Sequence, residues 1–297
     1  MANLRKLTEK PELKSVAVVV PWYNRKELTP DEEISFRHLI HFLGRYDKYA
    51  VVPKSLEVEF PGFGIKRFDD RYFGSTQANT RLMLSPKFYE AFTGYNYILV
   101  YHADALVFSD QLLEWCQMDL DYIGAPWLNY QDTPFVRVPR VGNGGLSLRK
   151  IESFLRVIYS KKYSVDPAKY WQGFCASRPK YLQYLNLPRK YLKYLRTFNN
   201  ARREMARWHL RSSRQNEDYF WSDDAIKYYA EFKIASVETG LRFAFEVAPR
   251  FCFESNNHQL PFGCHAWARY DREFWEPYLL KDRGAPQRNQ KASAEAQ

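Results

Sequence analysis

The sequence predicts an α/β fold, a sheet layered with helices, and three observations carry that prediction. Residues 16–20 (VAVVV) and 97–100 (YILV) are short, continuous apolar runs, as expected of strands buried on both faces. Residues 31–45 (DEEISFRHLIHFLGR) instead space their apolar side chains at helical intervals behind an acidic first turn. Strand-like and helix-like segments then alternate through residues 16–160, the pattern of an α/β sheet.

In chain order, Pro21 and a polar stretch end the first strand. The helix at 31–45 places Ile34, Leu39, Ile40, Phe42 and Leu43 on its apolar stripe. A second strand at 49–52 stops at Pro53, and a helix is expected over 82–92. The strand at 97–100 runs straight into HADALVF, followed by a helix at 110–117 and a strand opening at Tyr122-Ile123. Residues 147–159 read as helix, 216–230 as an ordinary helix, and 235–245 as a further strand region. Residues 1–14 are expected to be flexible. Residues 281–297, with no large apolar side chain, are expected to form a disordered tail.

A chain of 297 residues accommodates one large or two small domains, and 45% hydrophobic with 26% charged residues excludes global disorder. The aromatic share is high at 17%, which suits either ring or sugar binding or stacking within a core. The net charge of +10 is concentrated. Residues 161–214 carry fourteen Lys and Arg against only Asp166 and Glu204, a net +12 that leaves −2 for everything else. This basic insert interleaves Tyr181, Leu182, Tyr184, Leu185, Tyr191, Leu192, Tyr194 and Leu195 at helical spacing, with Pro188 between two short helices. No run approaches the roughly twenty apolar residues of a membrane span. The four cysteines are scattered without a CxxC pair and read as reduced thiols. A cytoplasmic protein, peripheral at the inner face of a membrane if the insert touches lipid, is the expectation.

Four motifs can carry chemistry. His102 and Asp104 follow the strand at 97–100 and, two residues apart, can grip one ligand or ion just beyond the carboxyl end of a strand, where open α/β sheets bind ligands. Imidazole with carboxylate suits Mn²⁺, whereas Mg²⁺ favours oxygen alone. The turn Gly142-Asn143-Gly144-Gly145 precedes a predicted helix, where glycines permit positive φ and leave backbone amides for a ligand. Glu217 and Asp218 open a helix, as a general base or as acids complementing its dipole. His265 sits in the aromatic loop PFGCHAW and needs partners from elsewhere to act as a ligand.

Together and in this order, VAVVVPWYN (16–24), FDDRYFGSTQANTRLMLSPKFYEAF (68–92), YILVYHADALVFSDQLLEWCQMDLDYIGAPW (97–127), GNGGLSLRK (142–150), NEDYFWS (216–222) and LPFGCHAW (260–267) resemble the DUF5672-type family of predicted GT-A glycosyltransferases, over roughly residues 15–280. The resemblance implies a GT-A (Rossmann-like) nucleotide-diphospho-sugar transferase fold with a basic helical insert. It implies one catalytic domain over 15–280 and a sugar donor, a UDP-sugar by expectation, held by Pro21, Tyr23, Asn24, Asn79, Arg81, His102 and Asp104. A divalent ion, Mn²⁺ or Mg²⁺, would be bound by Asp104 with His265 and His102. His102 departs from the family's common pattern, since an Asp often stands there. Trp127, Asn143, Gly144 and Gly145 would line the sugar or acceptor pocket, and Trp127 reads equally as a core indole. Asp218 is the catalytic base implied, with Glu217 as its alternative.

The expected reaction moves a sugar from a nucleotide-diphosphate donor to a hydroxyl acceptor, in surface glycan or glycolipid synthesis. The acceptor would be a glycan or a lipid-linked molecule, and the basic insert would meet an anionic membrane surface. The alternative is a glycosyltransferase or binding protein acting on nucleic acid, because basic residues among aromatics also suit phosphate contact with base stacking.

Overall fold

The computed structural model describes residues 13–22, 25–128, 138–176, 178–185, 188, 200–211 and 216–280. In chain order the strands among them are β1 (Lys14–Pro21), β2 (Asp47–Pro53), β3 (Gly64–Phe68), β4 (Tyr95–Tyr101), β5 (Leu106–Val107) and β6 (Tyr122–Gly124). There follow β7 (Pro126–Trp127), β8 (Arg140–Val141), β9 (Leu146–Lys150), β10 (Ala244–Phe245) and β11 (Gly263–Cys264). The main sheet is six-stranded in the order β3-β2-β1-β4-β9-β6. β3, β2, β1 and β4 run parallel, and β9 is antiparallel to both of its neighbours. The protein is thus a mixed α/β fold built on a largely parallel sheet.

β1 lies in the interior of this sheet, and Val16 to Val20 are all buried, which is why the run shows no polar alternation. The first helix, Pro30–Leu43, begins with Pro at its first position. Thr29 caps it: its hydroxyl accepts from Glu32 N and its own amide donates to Glu32 Oε2 (2.8 Å). A second, three-stranded sheet of order β10-β11-β5 and a two-stranded β7-β8 ladder flank the first.

Several expectations are corrected. The helix expected at 147–159 is instead β9 followed by helix Ile151–Ile158. β9 is clasped on both edges, and Arg149 on it is fully buried, so an apparently polar position belongs to the core. The strand region expected at 235–245 is helix Val237–Phe243 followed by the two residues of β10. Ser236 nucleates that helix by accepting from Thr239 N at 3.1 Å. The segment 82–92 divides into helices Thr76–Met83 and Pro86–Glu90, because Ser85, which precedes a proline, is extended. β3 was not foreseen: its sequence GIKRF buries only Phe68 and forms the sheet edge.

Within the basic insert the described helices are Pro167–Ala176, Lys180–Leu185 and Ala201–Arg211. Tyr181, Tyr184 and Leu185 are exposed. Ala201, Met205 and Trp208 are buried, and the Trp208 indole N–H donates to Asn216 O at 3.1 Å, so the end of the insert packs onto the body. Tyr191, Leu192, Tyr194 and Leu195 lie outside the described residues, as do residues 1–12 and the tail at 281–297. All four cysteines are free thiols, and among the described residues no helix is long and apolar enough to cross a membrane.

Candidate active site

β1 and β4 are neighbours, but β1 connects outward to β2 and β3 while β4 leads to the other half of the sheet. Their carboxyl ends therefore flank a crevice of the kind open α/β sheets use for ligands. A cleft of about 410 Å³ opens there, lined by Pro21 and Trp22 after β1, His102 and Asp104 after β4, and the Gly144-Gly145 turn before β9. Tyr72 to Thr76 with Asn79 form another part of its wall, and Glu217, Asp218, Glu246 and His265 line it too. Helix Thr76–Met83, capped by Ser75, opens on this wall and turns its positive dipole end towards the cleft.

Three acidic or imidazole side chains converge because of the small sheet. β10 and β11 are parallel, so Glu246 and His265, each one residue beyond its strand, emerge at the same end. β5 is antiparallel to β11, so Asp104, just before β5, emerges there too. Residues 102–105 form a turn: Ala105 N donates to His102 O at 2.9 Å, and His102 N donates to Gly145 O at 2.8 Å. Both side chains nevertheless reach one point.

The donor atoms of His102, Asp104 and His265 lie within 4.8 Å of one another. His265 Nε2 is 3.3 Å from Asp104 Oδ1, and its Nδ1 is 2.9 Å from Glu246 Oε1. A carboxylate on the far nitrogen of a ligating histidine is the usual means of orienting it. His102 Nε2 is buried without a hydrogen-bond partner, which is costly unless something accepts its lone pair or proton. Burial, then the neighbouring His265, lowers its pKa to about 3, so it is a neutral imidazole. Burial would also lower His265, but Asp104 and Glu246 outweigh that and raise it well above the ordinary value. Burial would raise Asp104, and His265 with His102 pull it far below the carboxylate range. Two imidazoles and a carboxylate fit a divalent transition ion such as Mn²⁺ better than Mg²⁺.

The Gly142–Gly145 turn is tight for a different reason from the one expected. None of its glycines has a positive φ, and three of its amides are already used. Gly142 N and Asn143 N donate to Ala125 O, and Gly145 N donates to Asn143 Oδ1. What excludes a side chain is close approach. A Cβ on Gly142 would overlap the Trp127 ring, one on Gly144 would lie 2.8 Å from Glu217 Oε1, and one on Gly145 would overlap the His265 ring. Gly145→Ala is therefore expected to turn His265 away and weaken Mn²⁺ binding by roughly 10–100-fold, as loss of ligand orientation does. Calorimetric titration of the folded variant with Mn²⁺ checks this; unchanged affinity would show that the contact is dispensable.

Beneath the turn, Arg149 is fully buried and satisfies its guanidinium with Ser147 Oγ (2.9 Å), the Tyr89 hydroxyl (3.0 Å), Gly144 O (3.3 Å) and Glu217 Oε1 (3.3 Å). Glu217 is thereby held as a structural partner. Asp218, beside it, is buried, and among the described residues its carboxylate accepts only from its neighbour Tyr219 N, at 3.0 Å. Burial, then the charges of Glu217 and Glu246, raise its pKa well above the usual carboxylate value. The helix they open, Glu217–Tyr219, passes into a π turn at Phe220–Asp224 before Ala225–Tyr228, rather than the regular helix expected.

The cleft thus brings together Pro21, Asn79, His102, Asp104, Asn143, Gly144, Gly145, Glu217, Asp218 and His265. Tyr23 and Asn24 lie outside the described residues. Arg81 is elsewhere: it lines a separate groove and donates to Arg71 O at 3.1 Å. Trp127 is also outside the cleft, buried with its ring 4.5 Å from that of Tyr219 and under the Arg140 guanidinium. Glu246, Arg149, Trp22 and Arg269 were not singled out from sequence. Glu246 carried a usable signal, an acid directly after a short apolar run, as with Asp104. Arg269, exposed at the rim, has no carboxylate partner among the described residues.

Residues 62–265 match a family described as protein of unknown function (DUF5672). No curated protein matches the sequence. One solved structure with some likeness is the mannosyltransferase PcManGT from Pyrobaculum calidifontis in complex with GDP-Man and Mn²⁺. It is 17% identical over 49% of this chain and 47% of that one, with a TM-score of 0.31, so this chain spans less than half of that protein's length.

Proposed function

Because the chain belongs to the DUF5672 family, which is defined without an activity, we propose from its site that it is a nucleotide-sugar-dependent glycosyltransferase with a GT-A catalytic unit over residues 15–280 and an insert at 161–214. One observation carries the reading. A cluster of three residues able to hold a metal ion and a buried carboxylic acid of raised pKa share one cleft at the switch point of a mainly parallel sheet. The cleft also carries the acidic side chains Asp104, Glu217, Asp218 and Glu246, beside which a bound cation would favour an anionic donor.

His102, Asp104 and His265 would hold the ion, with Glu246 fixing the His265 ring. Bound there, a divalent ion supplies Lewis-acid stabilisation of the negative charge that develops on a leaving diphosphate. The chain's own groups do the rest. Arg269 and the N-terminal end of helix Thr76–Met83, both in the cleft lining, would take the donor's phosphates. Asp218 accepts the proton of the attacking hydroxyl, and burial beside Glu217 and Glu246 raises its pKa, which makes its carboxylate a stronger base. Arg149 holds Glu217, the chain neighbour of Asp218, through the contact at 3.3 Å.

A thermal-shift screen of nucleotide sugars with Mn²⁺ tests this. A cognate donor at about a hundredfold its Kd stabilises the protein by about 2.7 kcal/mol, which is several degrees. Asp104→Ala is expected to remove both the Mn²⁺ and the donor shifts. An Mn²⁺ shift in Asp104→Ala equal to that of the wild type would overturn the ligand role of Asp104.

A further inference from the structure

Asn143 is held at every polar atom but one. It is buried, only 6% exposed, and lines the active-site cleft. Its backbone N donates to Ala125 O at 3.1 Å, and its backbone O accepts from the Tyr122 hydroxyl at 3.1 Å. Its side-chain Oδ1 accepts from Gly145 N at 2.9 Å. That bond also fixes which way round the carboxamide lies, because a backbone N–H is met only by the oxygen. Nδ2, with its two N–H groups, has no hydrogen-bond partner among the described residues. It is not sealed into the interior as His102 Nε2 is, so its donors remain open to the cleft that Asn143 lines. A donor pinned at three other atoms is pre-organised, and a ligand oxygen that meets it need not first order the side chain.

The turn that carries this amide spans two parts of the site. At one end, a Cβ on Gly145 would overlap the ring of His265, a member of the cluster able to hold a metal ion. In the middle, a Cβ on Gly144 would lie 2.8 Å from Glu217 Oε1 and 3.6 Å from Asp218 Cβ. In a glycosyl transfer the attacked carbon joins the leaving diphosphate to the incoming hydroxyl, so the sugar has to lie between the metal cluster and Asp218, alongside this turn. Phosphate oxygens are matched by a cation and by Arg269, whereas a carboxamide is neutral and selects an oxygen by direction. We propose that Asn143 is a specificity-determining residue, its Nδ2 donating to one hydroxyl of the transferred sugar. The inference rests on the glycosyltransferase reading and adds a requirement to it. The donor sugar must present a hydroxyl at that point, and a fixed amide discriminates against a sugar that lacks it.

UDP, GDP, UDP-glucose, UDP-galactose, UDP-N-acetylglucosamine and GDP-mannose are suitable probes, titrated with Mn²⁺ into the full-length protein. Asn143→Asp keeps an oxygen for Gly145 N and replaces the free N–H groups by a second oxygen. It is expected to weaken the nucleotide sugar that the wild type binds best by roughly tenfold, as loss of a buried hydrogen bond does, while the matching nucleoside diphosphate loses far less. Among monodeoxy derivatives of that nucleotide sugar, one should bind the wild type roughly tenfold more weakly and lose nothing further on Asn143→Asp, as two changes at one contact do. The wild-type half of that series tests the contact even if the variant does not fold. A nucleoside diphosphate weakened as much as its sugar would overturn the proposal, because the amide would then serve phosphate or ribose. A variant that binds the nucleotide sugar like the wild type would overturn it in favour of an acceptor hydroxyl, and deoxy derivatives that all bind alike would overturn it outright. These failures leave the glycosyltransferase reading standing. Absence of any nucleotide-sugar binding to the wild type would sink that reading and this assignment with it.

Discussion

Asp218→Asn is expected to lower kcat by about 10²–10⁴-fold, the usual contribution of a general base, while the donor still binds with Mn²⁺. The same substitution should raise the melting temperature of the ligand-free protein. Burial, with Glu217 and Glu246 nearby, raises the Asp218 pKa in the folded chain above its value in the unfolded chain. Below the unfolded value both states are protonated and the group costs nothing. As pH rises towards the folded value, the unfolded state alone has released its proton and is favoured. The stabilising effect of Asn should therefore be absent near pH 3–4, close to the unpaired Asp pKa of about 3.9, and grow with pH. Melting curves of both proteins across that range measure it. For the wild type, kcat/KM should fall on the acid side through a limb lying above the ordinary carboxylate range. Equal turnover in wild type and Asp218→Asn would remove Asp218 from the base role.

Arg149→Leu carries the second large effect. Arg149 is fully buried, and its loss leaves Glu217 as an unpaired buried carboxylate and the Tyr89 hydroxyl without its donor. Breaking such a pair costs about 3–5 kcal/mol, enough to bring an ordinary domain close to its unfolding limit. Adding Glu217→Gln removes the stranded charge and should recover much of the loss, so the two changes are strongly non-additive. Urea unfolding of the four proteins in the cycle measures the coupling. Simple additivity would mean that the contact at 3.3 Å contributes little.

Much of this site was legible in the chain. Hydrophobic runs marked β1 and β4; Pro21, at the end of the first, and His102 and Asp104, after the second, stand in the cleft. The acids at 217–218 and the histidine at 265 were visible as polar groups in unusual surroundings. Arg149 was hidden, because a charged side chain in LSLRK reads as solvent-facing and concealed a central strand. The high aromatic share went mostly into packing. Trp221, Trp267 and Trp275 are fully buried, and Trp127 packs under Arg140 away from the cleft. Arg81 likewise belongs to a groove that only the approach of helix Ala201–Arg211 creates.

The sequence by itself determined the local elements that its apolar periods describe, the segregation of positive charge into residues 161–214, and the side chains able to do chemistry. The tertiary structure decided which of them meet. Asp104, Glu246 and His265 come together only through the parallel pairing of β10 with β11 and the antiparallel pairing of β11 with β5. The physical reason is that a strand's period of two says which face a side chain takes but carries no address for its partner. Long-range register is settled by packing the whole core, and strands of two residues leave almost no periodic trace of it.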